Sequence, residues 1–408
     1  MPKSLTVPAN TGAPPHDRHI AFSRSDIVIL AGSATALALA AIVFYAGLNE
    51  VLSFGCSAVA IALLASLVGR SVDRLGDRLG AGATGVLQSA LGNLPELFIA
   101  FFALRAGLLT VVQSAIIGSI LANLLLVLGL AFLVGGLRHG TQRFDHGRAR
   151  TTCVLLALAT AALVLPSLAA QLHSPAGGHE TALSVAVAVV LLVVFALSLP
   201  ASLRNQAARD QPDPRGVVAV TASAGGSRAV DADRFSGTAT GNPKSSAEPA
   251  RSHSDGHWPI WLAVAMLAAA GVAAGFVSDW FVDALQPAID ALHVSPAFAG
   301  LVIVAIASNA VENVVGIQLA SRNQADYAVS IIINSPLQIA LVLAPALVLL
   351  SFLTATTLTL VFAPLLVVSV VVAVVITSLI VFDGESNWLE GTILIGLYAI
   401  IAALFWWG

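Results

Sequence analysis

The sequence predicts an all-α membrane protein of about eleven transmembrane helices: two inverted five-helix repeats plus an extra N-terminal helix. Three observations predict it. The 408 residues are 57% hydrophobic and only 10% charged, with a mean hydropathy of +0.90; a soluble domain carries about 25% charged residues. The apolar runs are near the length of about 20 residues that crosses a bilayer as a helix. A short acidic motif also occurs twice inside such runs, 216 residues apart. The other spanning solution, a closed β-barrel, needs strands that alternate apolar and polar; runs such as Thr181–Leu199 and Ala363–Ile380 do not alternate.

Taken in order, residues 1–24 form a polar, proline-bearing cytoplasmic tail without signal-peptide shape. The extra helix (25–48) spans Asp26–Ala46. The first repeat, 49–200, holds spans Val51–Val68, Gly82–Leu104, Thr110–Val134, Thr151–Ala170 and Thr181–Pro200. Residues 201–257 are rich in Ser, Ala, Asp, Arg and Pro, with almost no large apolar residues, and read as a disordered cytoplasmic linker. The second repeat, 258–408, holds Trp258–Val282, Pro296–Ala320, Ala325–Leu350, Leu358–Val381 and Trp388–Trp407.

Charge orients the spans. Of 19 Lys and Arg residues, all but Arg105 fall on one side of an eleven-span chain. By the positive-inside rule that side is cytoplasmic, which places the N-terminus inside and the C-terminus outside. Each repeat has an odd number of spans, so the second copy lies upside down relative to the first.

The repeated motifs carry the chemistry. Gly92-Asn93-Leu94-Pro95-Glu96 aligns with Ser308-Asn309-Ala310-Val311-Glu312, and Gly118-Ser119 with Asn334-Ser335. An acid inside a membrane helix is costly and marks a functional site by default. No Lys or Arg lies at midspan to pair with Glu96 or Glu312. Carboxylate oxygens suit Ca²⁺, which takes six to eight oxygens in flexible geometry, and two carboxylates neutralise one divalent cation. Glu96 and Glu312 are therefore the expected cation and proton ligands. Burial favours the neutral carboxyl and a bound cation favours the carboxylate, so the same pair can hold either protons or one metal ion.

Other residues complete the expected site. Asn93 and Asn309 lie one helical turn before their glutamates, on the same face. Ser119, Asn123, Ser335 and Gln338 add neutral polar groups; polar residues in membrane helices also serve as plain interhelical glue. Pro95 and Pro336 cannot donate to the carbonyls of Leu91 and Ile332, which leaves those oxygens for a ligand where a helix breaks beside a cavity. Gly92 and Gly118 allow close backbone approach.

Asp73 and Asp279, near opposite helix ends, are vestibule candidates; a solvated helix end is the plainer reading for Asp283. Seven of the nine histidines lie in loops. Cys56 and Cys153 fall in apolar spans and read as small core residues. H-E-x-x-H, G-x-S-x-G and Walker motifs are absent, so an enzyme or ATP-driven pump lacks its usual residues. No cofactor is expected beyond the transported ions. With a net charge of −3, the expected partner is the bilayer and not nucleic acid.

These residues resemble the cation/Ca²⁺ exchanger superfamily and, within it, the Ca²⁺/H⁺ antiporter branch. Gly92–Leu97 is similar to that branch's first repeat signature, Gly118–Gly129 to the stretch after it, and Asp383–Gly391 to its last hairpin. The resemblance implies eleven spans with inverted repeats, alternating access, and Ca²⁺ export driven by H⁺ entry. It carries acidic roles to Glu96 and Glu312, and the second-repeat glutamine to Gln338. The second repeat departs from the pattern: Ser308 and Asn334 stand for usual glycines, and Asn313 for a usual histidine. The short N-terminus suits a prokaryotic plasma membrane. Alternatives are the same fold with Na⁺ coupling or with Mn²⁺ as substrate, and a cation channel or membrane sensor.

Overall fold

Polar caps start several helices where the sequence leaves its apolar runs. The computed structural model describes residues 23–79, 91–209 and 258–407; within these, the side chains of 77–79, 176, 199–209, 311 and 312 lie outside the description. Twelve helices are described: α1 (Arg24–Tyr45), α2 (Glu50–Leu79), α3 (Leu94–Arg105), α4 (Leu109–His139), α5 (His146–Gln171), α6 (Glu180–Arg209), α7 (Ile260–Leu292), α8 (Pro296–Ser308), α9 (Ala310–Ser321), α10 (Ala325–Leu353), α11 (Pro364–Val381) and α12 (Trp388–Trp406). Ser23 and Asn387 cap α1 and α12 in capping boxes with Asp26 and Glu390, which satisfies otherwise orphaned N–H groups. Asp145 caps α5; N–H bonds from Arg148 and Gly147 hold its carboxyl below the usual range, against the opposing effect of burial.

Among the described residues nine helices are long and apolar enough to span a membrane, and α8 with α9 makes a tenth, bent by 62°. The predicted span Gly82–Leu104 is described only in its second half, as α3; residues 80–90 lie outside the described residues, as do the tail 1–22 and linker residues 210–257. The buried share of the most apolar stretch is 83% for α4 but 17% for α1, so α4 runs through the centre and α1 lines the lipid-facing edge. Exposed Val28, Val59, Leu158 and Val193 fit a surface solvated by hydrocarbon.

Several expectations are corrected. Pro296–Ala320 is not one straight span: it breaks at Asn309. The span predicted from Leu358 begins at Pro364, because the residue before a proline disfavours helix; Ala363 is extended, with φ −57° and ψ 144°. The linker does not begin at 201, since α6 continues to Arg209. Helices α2 and α7 outrun their apolar spans, and Arg70, Asp73 and Arg74 ride on the extension of α2.

Hydrogen bonds sort the helix ends into two faces. On one face, β1 (Gln142–Arg143) pairs antiparallel with β2 (Glu385–Ser386). The Gln142 amide donates to the Ala320 carbonyl at 3.1 Å, and the Asp145 N–H donates to the Asp326 carboxylate. The ends of α4, α9 and α11 therefore meet the starts of α5, α10 and α12. On the other face, an extended segment around Leu360 is held by Gln113 of α4, Ser167 of α5 and Ser184 of α6. Ser295, before α8, reaches the Phe405 carbonyl at the end of α12.

The sequence repeat recurs in the elements. Shifted by 216 residues, the bounds of α3 fall on those of α9, and α4 falls on α10. A π-helical turn interrupts α4 at Ala122–Val127 and α10 at Ile339–Leu343, again near equivalent places. Yet α3 and α9 end on opposite faces: Arg105 leads into α4 on one, and Ser321 accepts from His139 on the other.

Candidate functional site

Two helices begin in the protein interior, and each begins at an asparagine. Asn93 (φ −94°, ψ 17°) precedes α3 and Asn309 (φ −99°, ψ 11°) precedes α9. Their carbonyls accept the first helical bonds, from the N–H groups of Leu97 at 2.9 Å and Asn313 at 3.1 Å. Neither side chain caps its own helix, so both amides are left for other contacts. Glu96 and Glu312 occupy the third position of their helices, where the positive end of the helix dipole stabilises a carboxylate. Pro95 is the second residue of α3, a position where a missing N–H costs nothing. The chain has already left the helix at Gly92 and Asn93, so the break precedes the proline, contrary to the expected proline-made break. Pro336 does lie inside its helix, α10, three residues before the π-turn.

Glu96 is 7% exposed. Its Oε1 accepts from Ser119 Oγ of α4, from Asn309 Nδ2 at 2.8 Å and from Ser308 Oγ of α8 at 3.2 Å. Asn309 Nδ2 also lies 3.0 Å from Ser119 Oγ. One carboxylate oxygen thus gathers donors from both halves of the chain, all of them neutral. The other oxygen, Oε2, is buried without a partner. Buried polar atoms nearly always have one, so Oε2 is free to accept from or coordinate a further group. Asn93 Nδ2, Asn123 Oδ1, Asn313 Oδ1 and Ser335 Oγ are likewise buried and unpartnered.

The structure therefore brings together Glu96, Ser119 and Asn309 of the predicted set. Asn123 stands one turn beyond Ser119, donating to its carbonyl at 2.9 Å from within the π-turn. Ser335 and Gln338 are buried on α10, whose first half packs against that π-turn. The side chain of Glu312 lies outside the described residues. Asp73 is exposed near the end of α2, and Asp279 is half-buried in the second half of α7. Gly118 lies against the backbone of Leu301 of α8. Gly92 sits half-buried in the turn before Asn93.

Two residues went unpredicted. Ser308 was visible only as a departure from glycine. Gly300, which packs on the Val111 carbonyl, has no repeated counterpart to flag it. Beside Glu96 lies a cavity of about 20 Å³, enough for one water. Ala103, Val111 and Val112 line it on the side towards the Arg105 end of α3.

An all-helical membrane protein with a buried carboxylate where broken helices meet belongs to the class of ion-transporter folds. The family profile described as sodium/calcium exchanger protein matches residues 49–203 and 262–407. The chain is 33% identical over 360 residues to a Ca²⁺/H⁺ antiporter of Aphanothece halophytica, covering 88% of this chain and 90% of that one. It is 34% identical over 362 residues to a Ca²⁺/H⁺ antiporter of Synechocystis sp., covering 88% and 92%. Among solved structures, native YfkE superposes with a TM-score of 0.71 at 29% identity, covering 93% of this chain and 99% of that one. The H⁺/Ca²⁺ exchanger CAX, at 16% identity and a TM-score of 0.65 over 94% and 92%, shares the fold. The chain belongs to the sodium/calcium exchanger protein family, in the branch of the cation/Ca²⁺ exchanger superfamily that holds these antiporters.

Proposed function

We propose that this protein is a secondary Ca²⁺/H⁺ antiporter that exports Ca²⁺ from the cytoplasm by alternating access. The observation that carries the reading is Glu96: a buried carboxylate bonded only to neutral donors, with one oxygen open, in a family whose similar members include Ca²⁺/H⁺ antiporters. Glu96 and Glu312 bind one Ca²⁺ or protons in competition. Asn93, Asn309, Ser119, Asn123, Ser335 and Gln338 supply the neutral groups around them. A site that always carries positive charge can cross between states, whereas an empty pair of carboxylates in low dielectric is costly. That asymmetry is the coupling: Ca²⁺ leaves only when protons replace it.

The architecture that serves this is eleven spans in two inverted repeats, 49–200 and 258–408, behind one extra helix. The equivalent helices α3 and α9 ending on opposite faces support the inversion. The face that holds Arg70, Arg74, Arg138, Arg143, Arg148, Arg150 and Arg322 is cytoplasmic by the positive-inside rule, and the membrane is a prokaryotic plasma membrane. The protein has no enzymatic activity and no resident cofactor; Ca²⁺ and H⁺ are cargo.

Substitution tests the site. Glu96→Gln and Glu312→Gln should each abolish exchange in proteoliposomes while membrane insertion and folding persist. Robust exchange in either variant would remove the two-carboxylate site.

A further inference from the structure

Glu96 is held very unevenly. All three of its hydrogen bonds fall on Oε1, and Oε2 has none. An ionised carboxylate oxygen has about two lone-pair directions, so three donors leave Oε1 no room for a cation. Two of the donors, Ser308 and Asn309, belong to the second repeat and flank the point where α8 gives way to α9. Asn309 has its counterpart in Asn93. Ser308 has none: the first repeat places Gly92 there, which offers no side chain to Glu312.

The Ser308 hydroxyl has one proton and two acceptors within reach, Glu96 Oε1 at 3.2 Å and the Ala305 carbonyl at 3.3 Å. A charged acceptor makes the stronger bond, so the proton goes to Glu96 whenever the carboxylate is ionised. Ser308 is 9% exposed, so water does not compete freely for it.

We propose that Ser308 is a positioning residue, which with Ser119 and Asn309 pins Glu96 by Oε1 and so presents Oε2 alone to the cation. This rests on the reading of Glu96 as the cation-binding carboxylate. It makes the site asymmetric. Glu96 binds through one oxygen in a direction set by the break between α8 and α9, and movement of that break re-aims the ligand.

The test compares wild type with S308A, S308G and S308T. Infrared difference spectroscopy reads the Glu96 carboxyl band, assigned as the band lost in Glu96→Gln. S308A and S308G should shift that band, and S308T, which keeps the hydroxyl, should not. In pH-driven uptake, S308A and S308G should raise the KM for Ca²⁺ about 5- to 50-fold, the worth of one hydrogen bond to a charged group that is partly shared, with a smaller change in kcat. S308T should stay near wild type. An unmoved Glu96 band in S308A, an unchanged KM in both truncations, or an equal rise in S308T overturns the assignment. If folded wild type takes up no Ca²⁺, the antiport reading fails by itself, and the infrared comparison still decides whether Ser308 positions Glu96.

Discussion

Gly118 to alanine is the sharpest test of the central helix crossing. Gly118 lies on α4 where α8 passes over it. A Cβ there would stand 2.3 Å from the Leu301 carbonyl oxygen, 2.5 Å from its Cα and 2.7 Å from its carbonyl carbon. All three are backbone atoms, so no rotamer change relieves the overlap. Non-bonded atoms settle near 3.5 Å, so the two helices must part by roughly 1 Å. Over-packing of this kind costs about 1–3 kcal/mol. The strain falls beside Ser119, which donates to Glu96, so parting the helices also loosens the site. Gly271 on α7 is the control: a Cβ there meets nothing within 4 Å, and alanine in a helix is favoured over glycine by about 0.5–1 kcal/mol. Thermal unfolding in detergent, read by thiol labelling of Cys153 (5% exposed), measures both. Gly118→Ala should melt several degrees below wild type and Gly271→Ala at or above it. A Gly118→Ala protein as stable as wild type, with Glu96-dependent transport intact, refutes the crossing.

Three further outcomes follow from particular contacts. Asp26, its side chain 2% exposed, bonds Arg70 at 2.8 Å and Arg74 at 3.2 Å; Asp26→Ala should destabilise the protein by about 1–3 kcal/mol, below the 3–5 kcal/mol of a fully buried pair because Arg70 is partly solvated, as measured by the same unfolding assay. Cysteines replacing Arg143 and Glu385, which face each other across the β1–β2 pair, should form a disulfide on mild oxidation in a background lacking Cys56 and Cys153; a failure to cross-link would place the two hairpins on different faces. Ser167 Oγ accepts from the Phe362 N–H at 2.9 Å, so Ser167→Ala strands a buried N–H at a cost of about 1–3 kcal/mol, visible as faster hydrogen exchange in residues 358–363.

Much of this was legible in the sequence because a bilayer permits few solutions. Runs such as Pro364–Val381 have one way to satisfy their backbone in hydrocarbon, as helix. The arginines predict on which side each helix end lies. The motif offset of 216 residues found the equivalent helices and their midspan glutamates. What stayed hidden depends on contacts between distant segments. Ser308 gains its meaning only from reaching Glu96, 212 residues away. Gly300 matters only because the Val111 backbone crosses it. Asp26 enters the sequence reading only as the first residue of a span; its pairing needs the helical extension of α2, which carries Arg70 and Arg74 past the apolar run. The break at Asn309 has no local signal, because no glycine or proline stands between Leu301 and Val315.

The central claim is that Ca²⁺ and protons exchange at one carboxylate site. Its most direct test is ⁴⁵Ca²⁺ uptake into proteoliposomes with an imposed pH gradient and no Na⁺, run beside Glu96→Gln. The account predicts uptake that collapses when the gradient is dissipated and is absent in the variant. Uptake that ignores the gradient, or that survives in Glu96→Gln, would contradict it.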